Sequence, residues 1–141
     1  MTEDLPLHVV LIEPEPLRQL AVELGFAGID CEMFVFDELD RAIRYLGGAR
    51  KVPGALIVDI SYLGTCESPA LAQLEAQAHL EETKIFVMTE SGKATDVDVA
   101  LLGPFSFGGG LQRPTRSLVG DMLARTVISA CRPDKPGAEA A

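Results

Sequence analysis

The 141-residue chain has no tryptophan, two tyrosines and six phenylalanines, and its three cysteines are Cys31, Cys66 and Cys131. No two cysteines form a C-x-x-C motif, and His8 and His79 show no ligand spacing, so no zinc or redox motif is predicted. We expect the three thiols to be reduced and mostly buried. Both histidines are expected at the surface.

Basic residues are also scarce, because 12 Lys and Arg stand against 21 Asp and Glu, for a formal net charge of −9. This charge argues against a nucleic-acid partner or an anionic membrane surface, since both require a basic face. No apolar run approaches the roughly 18–20 residues that span a bilayer. The acidic start MTEDLPLHVV also lacks the basic region of a signal peptide. We therefore expect a cytoplasmic protein.

Apolar runs alternate along the chain with segments that have helical spacing or capping residues. The predicted strands are residues 7–13, 29–36, 54–60, 83–90 and 105–112, and the predicted helices are residues 16–25, 37–48, 68–80, 92–103 and 114–130. Strands that are apolar throughout are buried on both faces, which is typical of a parallel sheet covered by helices. The pattern predicts one α/β domain over residues 1–132, followed by a disordered polar tail over residues 133–141.

Two glycine positions carry local predictions. The first helix has an apolar stripe that includes Leu17, Leu20 and Leu24, and Gly25 is predicted to end it. The segment GPFSFGGG, residues 103–110, has neither the P-loop nor the G-x-G-x-x-G spacing, so it is not predicted to hold a phosphate. It is predicted to be a mobile loop, because glycines weaken a strand.

Polar side chains stand where four of the predicted strands end. Glu13 ends the first strand, Asp59 follows the apolar run of the third, Thr89 ends the fourth, and Arg113 follows the fifth. The carboxyl ends of parallel strands meet at one edge of an open α/β sheet, where such folds place their functional crevice. The sequence therefore predicts a site with two acids, a hydroxyl and a cation.

The segments LIEPE, LIVDIS, FVMTES and LQRPTR, in this order, resemble the receiver domain of two-component response regulators over about residues 7–130. The resemblance implies a doubly wound, receiver- or flavodoxin-like three-layer sandwich with a five-stranded parallel sheet in the order 2-1-3-4-5. It also implies that Asp59 is the phosphoacceptor, that Glu13 and Asp59 hold a magnesium ion, and that Thr89 and Arg113 contact the phosphoryl group.

This sequence departs from the receiver pattern at several positions. Pro14 stands where the family has its direct metal ligand, and Glu15 lies one residue late. Arg113 replaces the family lysine, and the two are not equivalent, although Lys93 is a candidate for the same role. Gly110 stands where the family has an aromatic residue. We therefore expect a degenerate metal site with weak or absent magnesium binding.

Each site residue also has a purely structural interpretation. Asp59 and Glu13 would then be solvated acids at strand ends, and Thr89 would cap the helix that follows. Arg113 would form a structural ion pair with Asp59. The residue types alone leave these alternatives open.

The favoured hypothesis is an atypical, non-enzymatic single-domain response regulator, a monomer or weak homodimer. A histidine kinase would phosphorylate it at Asp59 as part of a phosphorelay, and it would act by contact with another signalling protein. The alternative is a pseudo-receiver that docks constitutively on a kinase or regulator, with Phe105 and Phe107 on the docking face. A flavodoxin-like ligand binder is disfavoured because EPEPLRQ lacks the Ser, Thr and Gly donors of a phosphate loop.

Overall fold

The computed structural model describes residues 7–48, 53–59, 83–93, 106–114 and 117–131. The strands are β1 Leu7–Ile12, β2 Cys31–Phe36, β3 Ala55–Asp59, β4 Lys84–Thr89 and β5 Ser106–Gln112, and the helices are α1 Pro16–Phe26, α2 Leu39–Gly48 and α3 Ser117–Cys131. The helix predicted over residues 68–80, residues 94–103 of the next one, the tail, Cys66, His79 and Phe105 lie outside the described residues. None of the described helices is long and apolar enough to cross a membrane.

The five strands form one parallel sheet in the order β2-β1-β3-β4-β5. This confirms the predicted doubly wound α/β fold. The three central strands are almost wholly buried, as their unbroken apolar sequences predict. The order reverses between β1 and β3, so the carboxyl ends of these two strands border the crevice typical of such sheets.

One face of the sheet packs against α1 and α3. The buried side chains of this layer include Val9, Leu11, Val22, Phe26, Ile57, Phe86, Met88, Leu123 and Val127. Burying a side chain of this size contributes about 1.5–3 kcal/mol each. On the opposite face, α2 buries Ala42, Ile43 and Leu46. The helices on both faces hold the strand ends in fixed positions.

Helix α1 begins as its sequence predicts but ends later. Pro16 occupies its first turn, and the Glu15 carboxylate caps it by accepting a 2.9 Å hydrogen bond from the Leu17 amide. The prediction that Gly25 ends the helix is wrong, because the helix continues to Phe26 and the left-handed turn falls at Gly28, with φ 83°.

Gly25 instead permits close packing of two helices. A Cβ atom there would lie 2.2 Å from the carbonyl oxygen of Gly120 in α3, and one at Gly120 would lie 2.3 Å from the carbonyl oxygen of Ala21. The two backbones therefore approach as closely as they do only because both positions lack a side chain.

The apolar stripe of α1 does not face the sheet. Leu17, Leu20 and Leu24 are 75%, 52% and 53% exposed, whereas Val22 and Phe26 are buried. The stripe predicted the helix correctly, but it does not identify the buried face.

Residues 106–110 form part of strand β5, so the prediction of a mobile loop is wrong for them. A bulge falls between the pairs Ile85–Phe107 and Phe86–Gly109. A Cβ atom at Gly108 would lie 2.5 Å from the ring of Phe86, which is fully buried. Gly108 therefore makes room for a core phenylalanine.

His8 is buried, contrary to the predicted surface position, with 7% of its surface exposed. Its ring stacks on Phe34, with centroids 4.8 Å apart, and its Nε2 atom forms a 2.9 Å hydrogen bond with the hydroxyl of Tyr45. Cys31 and Cys131 are half-buried thiols.

Candidate functional site

The four predicted site residues lie at the carboxyl ends of their strands, at one edge of the sheet. Backbone hydrogen bonds fix these ends in register: the Glu13 amide donates to Phe36, and the Arg113 amide donates to Thr89, both at 2.9 Å. Ile12 of β1 pairs with Val58 of the parallel strand β3. Glu13 and Asp59, the next residue in each strand direction, therefore stand side by side at the strand ends.

Asp59 and Arg113 form a two-point salt bridge. The Arg113 Nε atom lies 2.7 Å from Asp59 Oδ1, and Nη2 lies 3.1 Å from Oδ2. The Asp59 side chain is 4% exposed and that of Arg113 is 24% exposed. Hydrogen bonding to Asp59 raises the pKa of Arg113 above its ordinary value, so the guanidinium remains charged throughout the physiological pH range. A fork of two parallel bonds neutralises the nearly buried carboxylate and fixes its orientation.

Glu13 is the second buried acid, with no exposed side-chain surface. Its Oε2 atom accepts a 2.9 Å hydrogen bond from the Glu15 amide. Its Oε1 atom has no hydrogen-bond partner among the described residues. Burial raises the pKa of Glu13, as do the nearby charges of Asp59 and Glu15, while the Glu15 amide and Arg18 oppose the rise.

Thr89 is buried, and its hydroxyl is engaged with the bend that follows β4. The hydroxyl accepts a 2.9 Å hydrogen bond from the Gly92 amide and donates a 3.2 Å one to the Lys93 carbonyl. Gly92 has a φ of 84°, which favours glycine. In this structure the hydroxyl therefore stabilises the bend over residues 89–93. Lys93 itself is exposed.

Two residues that the sequence analysis did not single out also contact Glu13. Nη1 of Arg18 lies 3.9 Å from Oε2 of Glu13. The Gln19 side chain donates a 2.5 Å hydrogen bond to the Glu13 carbonyl. The sequence offers one signal for Arg18. It is a basic residue in the first turn of α1, where the helix dipole favours acids, so its presence there suggests a contact elsewhere.

The residues present are a poor fit for a resident magnesium ion, which prefers carboxylate and phosphate oxygens. Both oxygens of Asp59 accept hydrogen bonds from Arg113. Glu15, one residue after Pro14, caps α1 with its carboxylate. Within the described ranges, no three His, Cys, Asp or Glu side chains cluster as a metal site. Glu13 Oε1 is a buried oxygen without a hydrogen-bond partner among these residues.

No protein-family model matches this chain, and no curated protein matches it. Among solved structures, it is similar to a two-component response regulator from Legionella pneumophila, with 19% identity over 87% of this chain and 98% of that chain and a TM-score of 0.63. It also matches the Trp repressor binding protein from Bacillus subtilis at 15% identity, over 91% and 98% of the two chains, with a TM-score of 0.41. The sheet order and the first of these similarities together show a receiver-like α/β fold.

Proposed function

We propose that this chain is a signalling domain of the two-component type, with Asp59 as the phosphoacceptor and protein contact as its output. The carrying observation is the nearly buried carboxylate of Asp59 at the end of β3, held by the fork of Arg113. The receiver-like fold, which the chain shares with the response regulator from Legionella pneumophila, also supports the proposal.

The chemistry requires a phosphoryl donor with a good leaving group, such as a phosphohistidine on a kinase. A carboxylate oxygen of Asp59 forms a bond to phosphorus while the donor's phosphorus–nitrogen bond breaks, and the nitrogen leaves with a proton. Such transfers depend mainly on positioning and on neutralisation of the phosphoryl oxygens. Arg113 suits this role, because its fork matches phosphate as well as carboxylate.

Protein contact is the proposed output because α1 presents an apolar surface. Leu17, Leu20 and Leu24 are all more than half exposed, on the side of the helix away from its buried residues. Exposed apolar surface of this kind is typical of protein interaction sites. We propose a histidine kinase or another signalling protein as the partner, with no catalytic activity of the chain's own.

The test is intact-mass spectrometry after incubation with a small phosphoramidate. We expect wild type to gain the mass of one phosphoryl group and Asp59→Asn to gain none. Asp30→Asn, at an exposed acid, is the matched control and should label as wild type does. Labelling that survives in Asp59→Asn, or a wild type that never labels while it remains folded, would overturn the phosphoacceptor role.

A constitutive pseudo-receiver is the second candidate, and one observation favours it. The polar groups that would follow a phosphoryl group already have partners: Arg113 bonds both oxygens of Asp59, and the Thr89 hydroxyl bonds the bend at Gly92 and Lys93. In this case Asp59→Asn would leave partner binding unchanged, whereas Leu20→Gln would weaken it. Asp59→Asn therefore separates the candidates in a pull-down with and without a phosphodonor, whereas Leu20→Gln should weaken binding under either candidate and reports on the contact surface.

A further inference from the structure

We propose that the guanidinium groups of Arg18 and Arg113 take the place of a divalent cation at this strand-end site, so that the folded domain holds no magnesium. This charge balance is that of the unmodified domain, so it does not depend on whether Asp59 accepts a phosphoryl group.

The buried charges balance without a metal ion. Glu13 and Asp59 supply two carboxylates with almost no exposed surface, and Arg18 and Arg113 supply two guanidiniums within 3.9 Å and 2.7 Å of them. Two buried like charges on adjacent strand ends require compensation by opposite charge. A divalent cation would add two positive charges to a site that already holds two.

The position of Arg18 is unfavourable for helix stability, which indicates that it serves the acid. It lies in the first turn of α1, a turn that contains no acidic residue, where the positive end of the helix dipole repels a cation. Its side chain is 36% exposed, and its Nη1 atom lies 3.9 Å from the buried carboxylate of Glu13. The carboxylate of Glu15 is engaged as the helix cap.

The ligand geometry leads to the same conclusion. The fork of Arg113 orients both oxygens of Asp59, and Pro14 offers no side-chain oxygen. Glu13 retains one oxygen without a hydrogen bond among the described residues. Removal of Arg18 would leave this carboxylate without its nearest cation, so the site would then attract a divalent ion.

The test is a titration with Mn²⁺, a paramagnetic substitute for magnesium. Binding is detected as broadening of the backbone amide NMR signals of residues near the ion. We expect millimolar Mn²⁺ to leave the amides of Glu13 and Asp59 sharp in wild type. In Arg18→Met, which keeps the aliphatic stem, we expect these amides to broaden selectively. The expected increase in affinity is about tenfold, because one close unit charge is removed.

Three further variants make the result specific. Arg125→Met removes an exposed guanidinium from α3, with the same change in net charge, and should behave as wild type. Arg18→Lys keeps the charge and should still exclude Mn²⁺. Adding Glu13→Gln to Arg18→Met should abolish the acquired binding.

Two results would overturn the inference. One is selective broadening at Glu13 and Asp59 in wild type. The other is a folded Arg18→Met variant that binds Mn²⁺ no better than Arg125→Met. The wild-type titration decides the first point even if the variants fold poorly. Neither result depends on phosphodonor labelling, so failure here is distinct from failure of the proposed function.

Discussion

The two edges of the sheet use polar side chains in different ways. At the amino-terminal edge, side chains bond to backbone carbonyls: Thr83 donates to Pro53 at 2.8 Å, and Lys84 donates to Ala130 at the end of α3 at 3.0 Å. The carboxyl-terminal edge also has side-chain bonds to carbonyls, such as that of Thr89 to Lys93, but here charged side chains bond to each other as well, as Arg113 does to Asp59.

The two kinds of bond respond differently to the surroundings of the protein. A bond to a backbone carbonyl has no titrating acceptor, so it fixes the path of the chain under all ordinary conditions. A pair of buried charges depends on the charge of both members, and a phosphoryl group, a proton or a metal ion alters it directly. We therefore assign stability to the first edge and responsiveness to the second.

The largest effect is expected at the helix pair that supports both edges. Gly25→Ala places a Cβ atom 2.2 Å from a backbone oxygen of Gly120, which only a shift of the helices relieves. We expect a loss of about 3 kcal/mol in the free energy of unfolding, measured in urea. Gly28→Ala is the control, since it meets no atom within 4 Å and should lose only about 1 kcal/mol through its positive φ. Equal losses in the two variants would contradict the close helix contact.

Arg113→Met should be the most damaging change at the carboxyl-terminal edge. It leaves the nearly buried carboxylate of Asp59 without its guanidinium, at a cost of about 2–3 kcal/mol, which is less than for a fully buried pair because Arg113 is 24% exposed. Adding Asp59→Asn should recover most of the lost stability, because the unpaired charge is then gone. A double variant less stable than Arg113→Met would argue against the pair.

Thr83→Val tests the opposite edge. It removes a buried hydrogen bond to Pro53 with little change in shape, so we expect a loss of about 1 kcal/mol. The loss should be independent of pH between 5 and about 8, since neither partner titrates there. A strong pH dependence of this loss would remove the distinction between the edges.

Glu13 should give the stability of the domain a pH dependence. Its pKa is raised in the folded state from an ordinary value of 4.5, so the folded domain binds this proton more tightly than the unfolded chain. The resulting stabilisation is fully present below the unfolded value and is lost as the pH rises through the folded one. Glu13→Gln should therefore flatten the decline above pH 4.5 in urea titrations at several pH values. An unchanged slope would show that Glu13 is not its source.

The smallest effect on stability is expected at the leucine stripe of α1. Leu20 is 52% exposed, so Leu20→Gln should change the free energy of unfolding by less than about 0.5 kcal/mol. Val22 lies two residues further along α1 and is fully buried. Val22→Ala should therefore cost about 1–2 kcal/mol in the same measurement. A reversed order would place the leucines in the core.

The sequence was sufficient for the strands and for the place where their ends meet. Unbroken apolar runs mark β1, β3 and β4, and parallel strands bring Glu13, Asp59 and Thr89 to one edge whatever the details of packing. The ion pair between Asp59 and Arg113 is one of the two roles that the sequence predicts for Arg113.

The rest depends on contacts between segments distant in sequence. The role of Gly25 depends on Gly120 in the last helix, and that of Gly108 in β5 depends on the Phe86 ring. The burial of His8 depends on Tyr45, 37 residues later. Periodicity in one helix shows that an apolar face exists, but not which neighbour covers it.

The most direct test of the central claim is an amide NMR titration with beryllofluoride, a mimic of the phosphoryl group, with and without magnesium. If Asp59 is the phosphoacceptor, the signals of Asp59, Thr89 and Arg113 should shift in wild type, and the shifts should be absent in Asp59→Asn. Unchanged signals at these three residues in the folded wild-type domain, or equal shifts in Asp59→Asn, would contradict the account.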